Sequence, residues 1–292
     1  MIWLPIHTIL KKTLECTTQL AKNYLQLPLQ RHIKSREPAL NLPCLAEEYA
    51  TDTFFAETAA IGSATCAQIY VGTKSYYTNV FGMKCESKAP HTLDDFVRKT
   101  GAPQSLHNDN TQVEKSTEWH DHLWQYIISK SYTEPHHPQQ NPAERRIQFV
   151  KGCTMRLLDQ VRAPPQFWLL AFTYVVLLLN VVSHEQLRWK TPTEAAFGTM
   201  PDISVFLQHT FYDRVIYHAH DAKFPQTKEK SGRFVGIAPN IGVLSGRKHW
   251  LPREWEKKDS IQQCKEIHQR NHKEARESIG SKVEKLQFSN GI

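Results

Sequence analysis

The alternation of apolar and polar positions changes several times along the chain, and each change predicts a different element. From residue 49 the stretch YATDTFFAETAAIG has a period of two, which places Ala50, Asp52, Phe54 and Ala56 on one face of a strand. Two further runs rich in β-forming residues, TCAQIYVGT and SYYTNVFGM, follow after short connections. Together the three runs predict an antiparallel meander.

The next part of the chain alternates between helix and strand. HTLDDFVRKTG predicts a short helix with Thr92 as its cap, and PQSLHNDN predicts a strand that ends at Asn108 and Asp109. Residues 112–128 then suit a helix, and residues 129–134 a short extended segment. The pattern therefore returns to the sheet twice after the meander.

Two long helices are predicted in the second half. Asn141 is a good N-cap and Pro142 suits the first helical position, so a helix should run from there to about Val161. The apolar stretch FWLLAFTYVVLLLNVV, residues 167–182, has only 16 residues, fewer than the ~20 that cross a bilayer. We expect a buried core helix there and no membrane span. TPTEAAFG predicts a further short helix that ends at its glycine.

The element order predicted from these patterns is β-β-β-α-β-α-(β)-α-α. Three antiparallel strands followed by alternating helices and strands indicate an α/β fold of the ribonuclease-H-like class, a mixed sheet flanked by helices. Beyond Pro201 several short strands predict a small β-rich module. The predicted organisation is a basic N-terminal arm or linker (1–45), an α/β core (46–200), a small β-barrel-like module (201–252) and a charged tail (253–292).

Composition adds a mild preference for an anionic partner. Lys and Arg total 36 against 29 Asp and Glu, a formal charge of +7 with a pI near 9.0, which favours nucleic acid without demanding it. The six cysteines form no Cys-x-x-Cys pair, and the N-terminus has no sustained apolar region of a signal peptide. We therefore expect a reducing intracellular compartment.

Three carboxylates fall at positions that are unusual for their elements or at the ends of elements. Asp52 lies inside a strand, where aspartate is unfavourable, Asp109 follows the end of a strand, and Glu144 lies in the first turn of a helix. Each also has an ordinary explanation: a solvent-facing strand residue, a turn former, and a capping partner of Asn141. Together, however, they can converge on one edge of the sheet and supply oxygen ligands for two Mg²⁺ ions.

The motifs around these carboxylates resemble a known family. TDTFF, NDN and HPQQNPAERR resemble the three catalytic motifs of retroviral-type integrases, and specifically those of the Copia-type retrotransposon branch. LLLN in the following helix, TPTEAAFGTMPDISVF and GRFVGIA are also similar to segments of that branch. The resemblance covers about residues 30–250, and the order of its motifs is more specific than any one of them.

The resemblance implies a function and a set of site residues. Asp52, Asp109 and Glu144 would be the catalytic metal ligands for two Mg²⁺ ions, for which Mn²⁺ can substitute, and 34 residues separate the second from the third, one fewer than is typical of the family. The implied reaction is DNA integration: 3′-end processing and strand transfer of element DNA into target DNA. The alternative is a catalytically decayed or domesticated integrase descendant that binds DNA without catalysis.

The helix around Glu144 predicts DNA contacts. Gln148 and Lys151 lie four and seven positions after Glu144, on the same helical face, so both are expected near the scissile phosphate. Arg145 and Arg146 project from other faces of the helix than Glu144. For these two arginines the sequence allows either a DNA contact or a solvated surface position. The resemblance further implies a homo-oligomer that acts on DNA in the nucleus after a stage in a cytoplasmic particle.

Other aromatic and histidine residues are predicted to be structural or superficial. Trp119, Trp124 and Trp168 have helical surroundings and are expected in the core. His120 and His122 are expected to be surface or loop residues.

Overall fold

The computed structural model describes residues 6–19, 43–108, 116–132, 141–218 and 229–237. The strands within these ranges are β1 (Cys44–Phe55), β2 (Cys66–Gly72), β3 (Thr78–Met83), β4 (Ala102–Asn108), β5 (Ser129–Tyr132), β6 (Arg214–His218) and β7 (Glu229–Arg233). The α-helices are α1 (Ile6–Glu15), α2 (Ala89–Lys99), α3 (Thr117–Gln125), α4 (Pro142–Val161), α5 (Trp168–Val181), α6 (Pro192–Phe197) and α7 (Ser204–Gln208).

The first five strands form one mixed sheet in the order β3-β2-β1-β4-β5. β1, β2 and β3 pair antiparallel, as the meander predicts, whereas β1–β4 and β4–β5 are parallel. Parallel neighbours need a crossover connection, and α2 and α3 provide the two crossovers. This strand order and the flanking helices confirm the predicted ribonuclease-H-like fold.

One face of the sheet is covered by α2 and α3. Tyr70 of β2 stacks on Phe96 of α2 with ring centroids 4.5 Å apart, and Tyr49 of β1 meets the same phenylalanine at 5.1 Å. Trp119 of α3 is fully buried in this cluster, as predicted. The aromatic rings therefore bury the odd-numbered face of β1 and fix both crossover helices on it.

The opposite face is covered by α4 and α5. Phe54 of β1 stacks on Phe172 of α5 at 4.5 Å, and Ile147 and Val150 of α4 join the same buried cluster. α5 lies so close to β3 that a Cβ on Gly82 would come within 2.3 Å of Leu169. The apolar stretch predicted to be a core helix is thus buried by this packing.

A buried asparagine joins α5 to the outer strand of the sheet. The Asn180 side chain accepts a hydrogen bond from Thr78 N at 2.9 Å and donates one to Thr78 O at 2.8 Å. The backbone carbonyl of Asn180 accepts a 2.7 Å hydrogen bond from Thr193 Oγ1 of α6. The asparagine of the LLLN motif therefore satisfies backbone groups on the edge strand β3, and the TPTE motif is hydrogen-bonded to the end of α5.

The described part of the N-terminal region is docked on the core. Thr13 Oγ1 of α1 lies 3.1 Å from Ser183 Oγ after α5, and Thr18 N donates to Pro201 O at 2.9 Å. α1 ends at Glu15. Residues 6–19 are therefore attached to the loops around α6, although the sequence indicated an arm or linker.

The β-rich character after Pro201 is present as a two-stranded antiparallel sheet of β6 and β7. Tyr174 of α5 contacts Phe211 and Phe234 on either side of this ribbon, at 5.4 and 6.2 Å between ring centroids. The remainder of the predicted β module and the whole predicted tail, 253–292, lie outside the described residues.

Two local predictions were wrong. α2 begins one turn earlier than expected, with Lys88 at the N-cap position, so Thr92 is inside the helix and donates to Ala89 O at 2.7 Å. Trp124 is 83% exposed instead of buried, because the buried face of α3 is formed by Trp119 and Leu123.

Within the described parts of the chain, no single helix has both the length and the apolar character to span a membrane. The bent pair Pro165–Val181 and Glu185–Phe197, with a 42° break between its halves, meets those two criteria only when taken together.

Replacing Asn180 by alanine should destabilise the fold by about 2–4 kcal/mol, because a buried donor and a buried acceptor on Thr78 lose their partners. Urea denaturation of the full chain measures the change. The exposed Gln160 of α4 offers a control, since its alanine variant should stay within about 0.5 kcal/mol of the parent. Equal stability of the two variants would contradict the structural role of Asn180.

Candidate active site

Asp52 lies on the face of β1 that α4 and α5 cover. Its neighbours on that face, Ala50 and Phe54, are buried in the cluster shared with α4, whereas Asp52 itself is half-buried. Asp52 Oδ1 accepts a hydrogen bond from Thr53 N at 2.7 Å. The aspartate therefore occupies the point on this face where the apolar packing gives way to solvent, which explains how a central strand accommodates it.

The parallel pairing of β1 and β4 brings the end of β4 to the same region. Ala50 is paired with His107, and β4 ends one residue later at Asn108. Asp109, the second predicted ligand, follows Asn108 in the sequence and lies outside the described residues. Its role therefore remains a prediction from the sequence.

The start of α4 is attached to β1 directly beside Asp52. Asn141 Oδ1 caps the helix by accepting from Ala143 N at 2.9 Å, and Asn141 Nδ2 donates to Thr51 O at 3.4 Å. Glu144 lies in the first turn of this helix and is half-buried. The asparagine thus brings the Glu144 turn to the strand position that precedes Asp52.

The face of α4 that carries Glu144 lies alongside β1. Gln148 Nε2 donates to Glu144 Oε1 at 3.3 Å, and Lys151 Nζ lies 5.1 Å from the centre of the Phe54 ring. Gln148 and Lys151 are both exposed. Two polar side chains, one of them cationic, therefore extend from the Glu144 carboxylate along a solvent-accessible surface, as the helical spacing predicts.

The two arginines of α4 have different surroundings. Arg145 is exposed, whereas Arg146 is half-buried and its Nη2 donates to Tyr76 O at 3.3 Å in the turn between β2 and β3. Burial lowers the pKa of the Arg146 guanidinium below its usual value. The carboxylate of Glu47 holds the same turn from the other side, accepting from Lys74 N and Ser75 N at 3.0 and 2.9 Å. Arg146 thus has a structural contact, which distinguishes it from Arg145.

A polar network that the sequence did not reveal connects three strands on this face. Ser131 Oγ of β5 donates to Glu48 Oε1 of β1 at 2.8 Å and lies 2.9 Å from His107 Nδ1 of β4. The three residues come from separate segments, so only the strand register shows that they meet. Their hydrogen bonds hold the short β5 strand against the strands that lead to the site.

The donor groups suit a hard divalent cation. Asp52 and Glu144 supply carboxylate oxygens, the ligands that Mg²⁺ prefers, and both are half-buried and hence reachable from solvent. Glu144 also lies in the first turn of α4, a position where acidic side chains are common. These residues therefore fit the metal chemistry that the sequence predicts.

Curated proteins match part of the chain at low identity. The retrovirus-related Pol polyprotein from transposon RE1 of Arabidopsis thaliana is 26% identical over 145 residues, which cover 46% of this chain and 9% of that polyprotein. Over this segment the chain is similar to a transposon Pol polyprotein. The corresponding polyprotein from transposon RE2 is 23% identical over 145 residues and is covered to 10%. The chain thus spans about a tenth of the length of these Pol polyproteins, and no family model matches it.

Solved structures similar to this chain include retroviral integrases. The HTLV-2 integrase catalytic core domain in complex with magnesium, in its trimeric form, aligns with a TM-score of 0.42 and 18% identity, covering 52% of this chain and 97% of that one. The simian T-cell lymphotropic virus intasome in complex with the PP2A regulatory subunit B56 gamma aligns with a TM-score of 0.44 and 16% identity, covering 77% and 78%.

Replacing Asn141 by alanine should destabilise the chain by about 1–2 kcal/mol, because α4 loses its cap and its link to Thr51. An Asn141→Ser variant should lose less, since serine caps a helix but is too short to reach Thr51 O in the same way. Chemical denaturation of both variants measures the difference. Equal losses would contradict a capping contribution from Asn141.

Replacing Arg146 by glutamine should raise the pKa of His184. Partial burial lowers the pKa of His184 first, and the nearby Arg146 charge lowers it further, because a cation disfavours protonation of the ring. His184 lies against the ring of Tyr76, 5.3 Å between centroids, beside the arginine's hydrogen-bond partner. NMR titration of the histidine ring measures the shift. The exposed Arg156 provides the control, and its glutamine variant should leave the His184 titration unchanged.

Proposed function

We propose that this chain is the integrase segment of a Copia-type retrotransposon polyprotein and that it transfers DNA strands by metal-dependent phosphoryl transfer. The observation that carries the proposal is the Asn141 contact, which brings the first turn of α4, with Glu144, to the strand residue beside Asp52. A carboxylate inside a central strand and another at a helix start have separate structural explanations. The hydrogen bond from Asn141 to Thr51 O attaches the helix start to the strand beside Asp52, and this attachment supports a shared chemical role for the two carboxylates.

Asp52, Asp109 and Glu144 would hold two Mg²⁺ ions, or Mn²⁺ in their place. When bound, such ions activate an attacking hydroxyl and stabilise the leaving oxygen of a phosphodiester. Asn141 would keep the Glu144 turn in place beside β1 while DNA binds. Positioning of this kind limits the reorganisation needed during the reaction.

The exposed row along α4 would bind the DNA backbone. Lys151 contributes a positive charge and Gln148 a hydrogen-bonding amide on the surface that begins at Glu144, and Arg145 extends the positive surface on the same helix. Contacts of this type bind phosphates without reading sequence, and they weaken as salt increases. Arg146 would act indirectly by holding the β2–β3 turn.

The proposal includes the partners and the place of action implied by this chemistry. The substrates would be the DNA ends of the element and a target duplex, which requires access to nuclear DNA after a cytoplasmic particle stage. Two DNA ends joined to one target favour a homo-oligomeric assembly, since each end needs its own set of carboxylates.

Asp52→Asn and Glu144→Gln should each reduce strand transfer by at least about 100-fold, the scale on which single charge-stabilising groups act in active sites. The assay incubates the full chain with Mg²⁺ or Mn²⁺, a labelled duplex with a recessed 3′-hydroxyl, and a supercoiled plasmid. Binding of Mn²⁺, measured by electron paramagnetic resonance, should weaken in the same variants.

Matched controls are available on exposed surfaces away from the site. Asp159→Asn, at the far end of α4, and Glu185→Gln, after α5, remove the same charges and should retain activity. Full activity in the Asp52 and Glu144 variants would overturn the proposed mechanism. DNA binding by the parent protein with no transfer in either metal would identify the alternative, a descendant that binds DNA without catalysis.

A further inference from the structure

A second group of metal-ligating side chains lies on the opposite side of the sheet from Asp52 and Glu144. His91 of α2 and Glu118 and His122 of α3 each offer a ligand atom, and these three atoms lie within 4.8 Å of one another. His91 and Glu118 are exposed and His122 is half-buried. The two helices pack on each other over the aromatic cluster around Phe96 and Trp119, so the group bridges two separate crossover segments.

The spacing requires little adjustment to close around an ion. Ligand atoms about 2.0–2.2 Å from a tetrahedral Zn²⁺ lie about 3.3 Å from one another. The imidazole rings of His91 and His122 are 6.2 Å apart between centroids and nearly perpendicular, at 85°, so they do not block each other by stacking. Rotation of the exposed His91 and Glu118 side chains is therefore sufficient to bring three ligand atoms to one centre.

His122 is held in the orientation that a metal ligand requires. Its Nδ1 lies 2.7 Å from Asp94 Oδ1, and the Tyr126 hydroxyl donates to the same oxygen at 2.9 Å. A carboxylate at Nδ1 favours the tautomer with a proton on that nitrogen, which leaves the lone pair on Nε2. This carboxylate–histidine arrangement is the usual support for a metal-bound imidazole, because it fixes the ring and increases its basicity.

We propose that His91, Glu118 and His122 form a Zn²⁺ site that joins α2 to α3, with Asp94 as the positioning residue for His122. Two imidazoles and one carboxylate are a ligand set suited to Zn²⁺, and a water molecule would complete the tetrahedron. Mg²⁺ prefers oxygen ligands and keeps its water shell, so it does not fit this set. The site is thus chemically distinct from the oxygen-donor site at Asp52 and Glu144, and it does not depend on the proposed function.

The position of the site indicates a stabilising role. The β4–β5 connection contains α3, and β5 is a short strand at the edge of the sheet. A cross-link between α2 and α3 would hold α3, and through it the start of β5, on the neighbouring crossover helix. An ion that binds only the folded chain increases its stability in proportion to the logarithm of metal concentration.

The experiment uses the full chain, freed of metal by chelation, and titrates it with Zn²⁺ alone. Zn²⁺ at about a hundred times its Kd should raise Tm by roughly 5–10 °C. Mg²⁺ at the same concentration should not produce a rise in Tm that depends on His91 or His122. His91→Ala and His122→Ala should each abolish the Zn²⁺-dependent shift. Asp94→Asn should weaken Zn²⁺ binding, measured calorimetrically, by about 10-fold or more.

Controls separate loss of the site from loss of the fold. His91 is exposed, so His91→Ala should keep the metal-free Tm of the parent protein, and His120→Ala removes another histidine of α3 while leaving the Zn²⁺ shift intact. A Zn²⁺ response that survives in both His91→Ala and His122→Ala would overturn the proposal. So would a parent protein whose Tm does not respond to Zn²⁺.

Discussion

The central position of β1 is the constraint on which the other described elements depend. It pairs with β2 on one edge and β4 on the other, and helices cover both of its faces. A strand in this position should be almost wholly apolar, yet β1 contains Asp52. The strand accommodates the aspartate because α4 begins at this level, so that the apolar cover over Ala50 and Phe54 is interrupted and solvent reaches the carboxylate.

Two asparagines connect the helices of the α4–α5 layer to the sheet. Asn141 joins the start of α4 to the central strand, and Asn180 joins the end of α5 to the edge strand β3. Both side chains form hydrogen bonds to backbone groups of the sheet. Without these bonds the backbone groups would be buried without a partner, which would lower the stability of the fold. Apolar packing alone allows a helix to slide along a sheet, whereas a hydrogen bond to one particular carbonyl fixes its register. The motifs that carry the family resemblance thus include residues that set the geometry of the site.

The sequence predicted the features that depend on local periodicity and capping. The meander, the start of α4 at Asn141 and Pro142, and the buried apolar helix α5 were all confirmed. Prediction from the sequence failed for features that are determined by tertiary contacts. The exposure of Trp124 depends on which face of α3 meets the sheet, and the hydrogen bond from Arg146 to Tyr76 joins segments 70 residues apart. No local pattern contains that information.

The same distinction applies to the ligand groups of the two layers. Asp52 lies inside a strand and Glu144 in the first turn of a helix, so local patterns and motif spacing marked both as candidates in the sequence. His91 and His122 approach each other only because α2 and α3 cross the same face of the sheet and share one aromatic core. In sequence, His122 has no complete ligand set nearby; in the fold, Asp94 orients it and Glu118 and His91 lie beside it. The donor groups of the two sets differ: Asp52 and Glu144 offer only carboxylate oxygens, whereas the set on α2 and α3 combines two imidazoles with one carboxylate, and metals discriminate between ligand sets by donor chemistry of this kind.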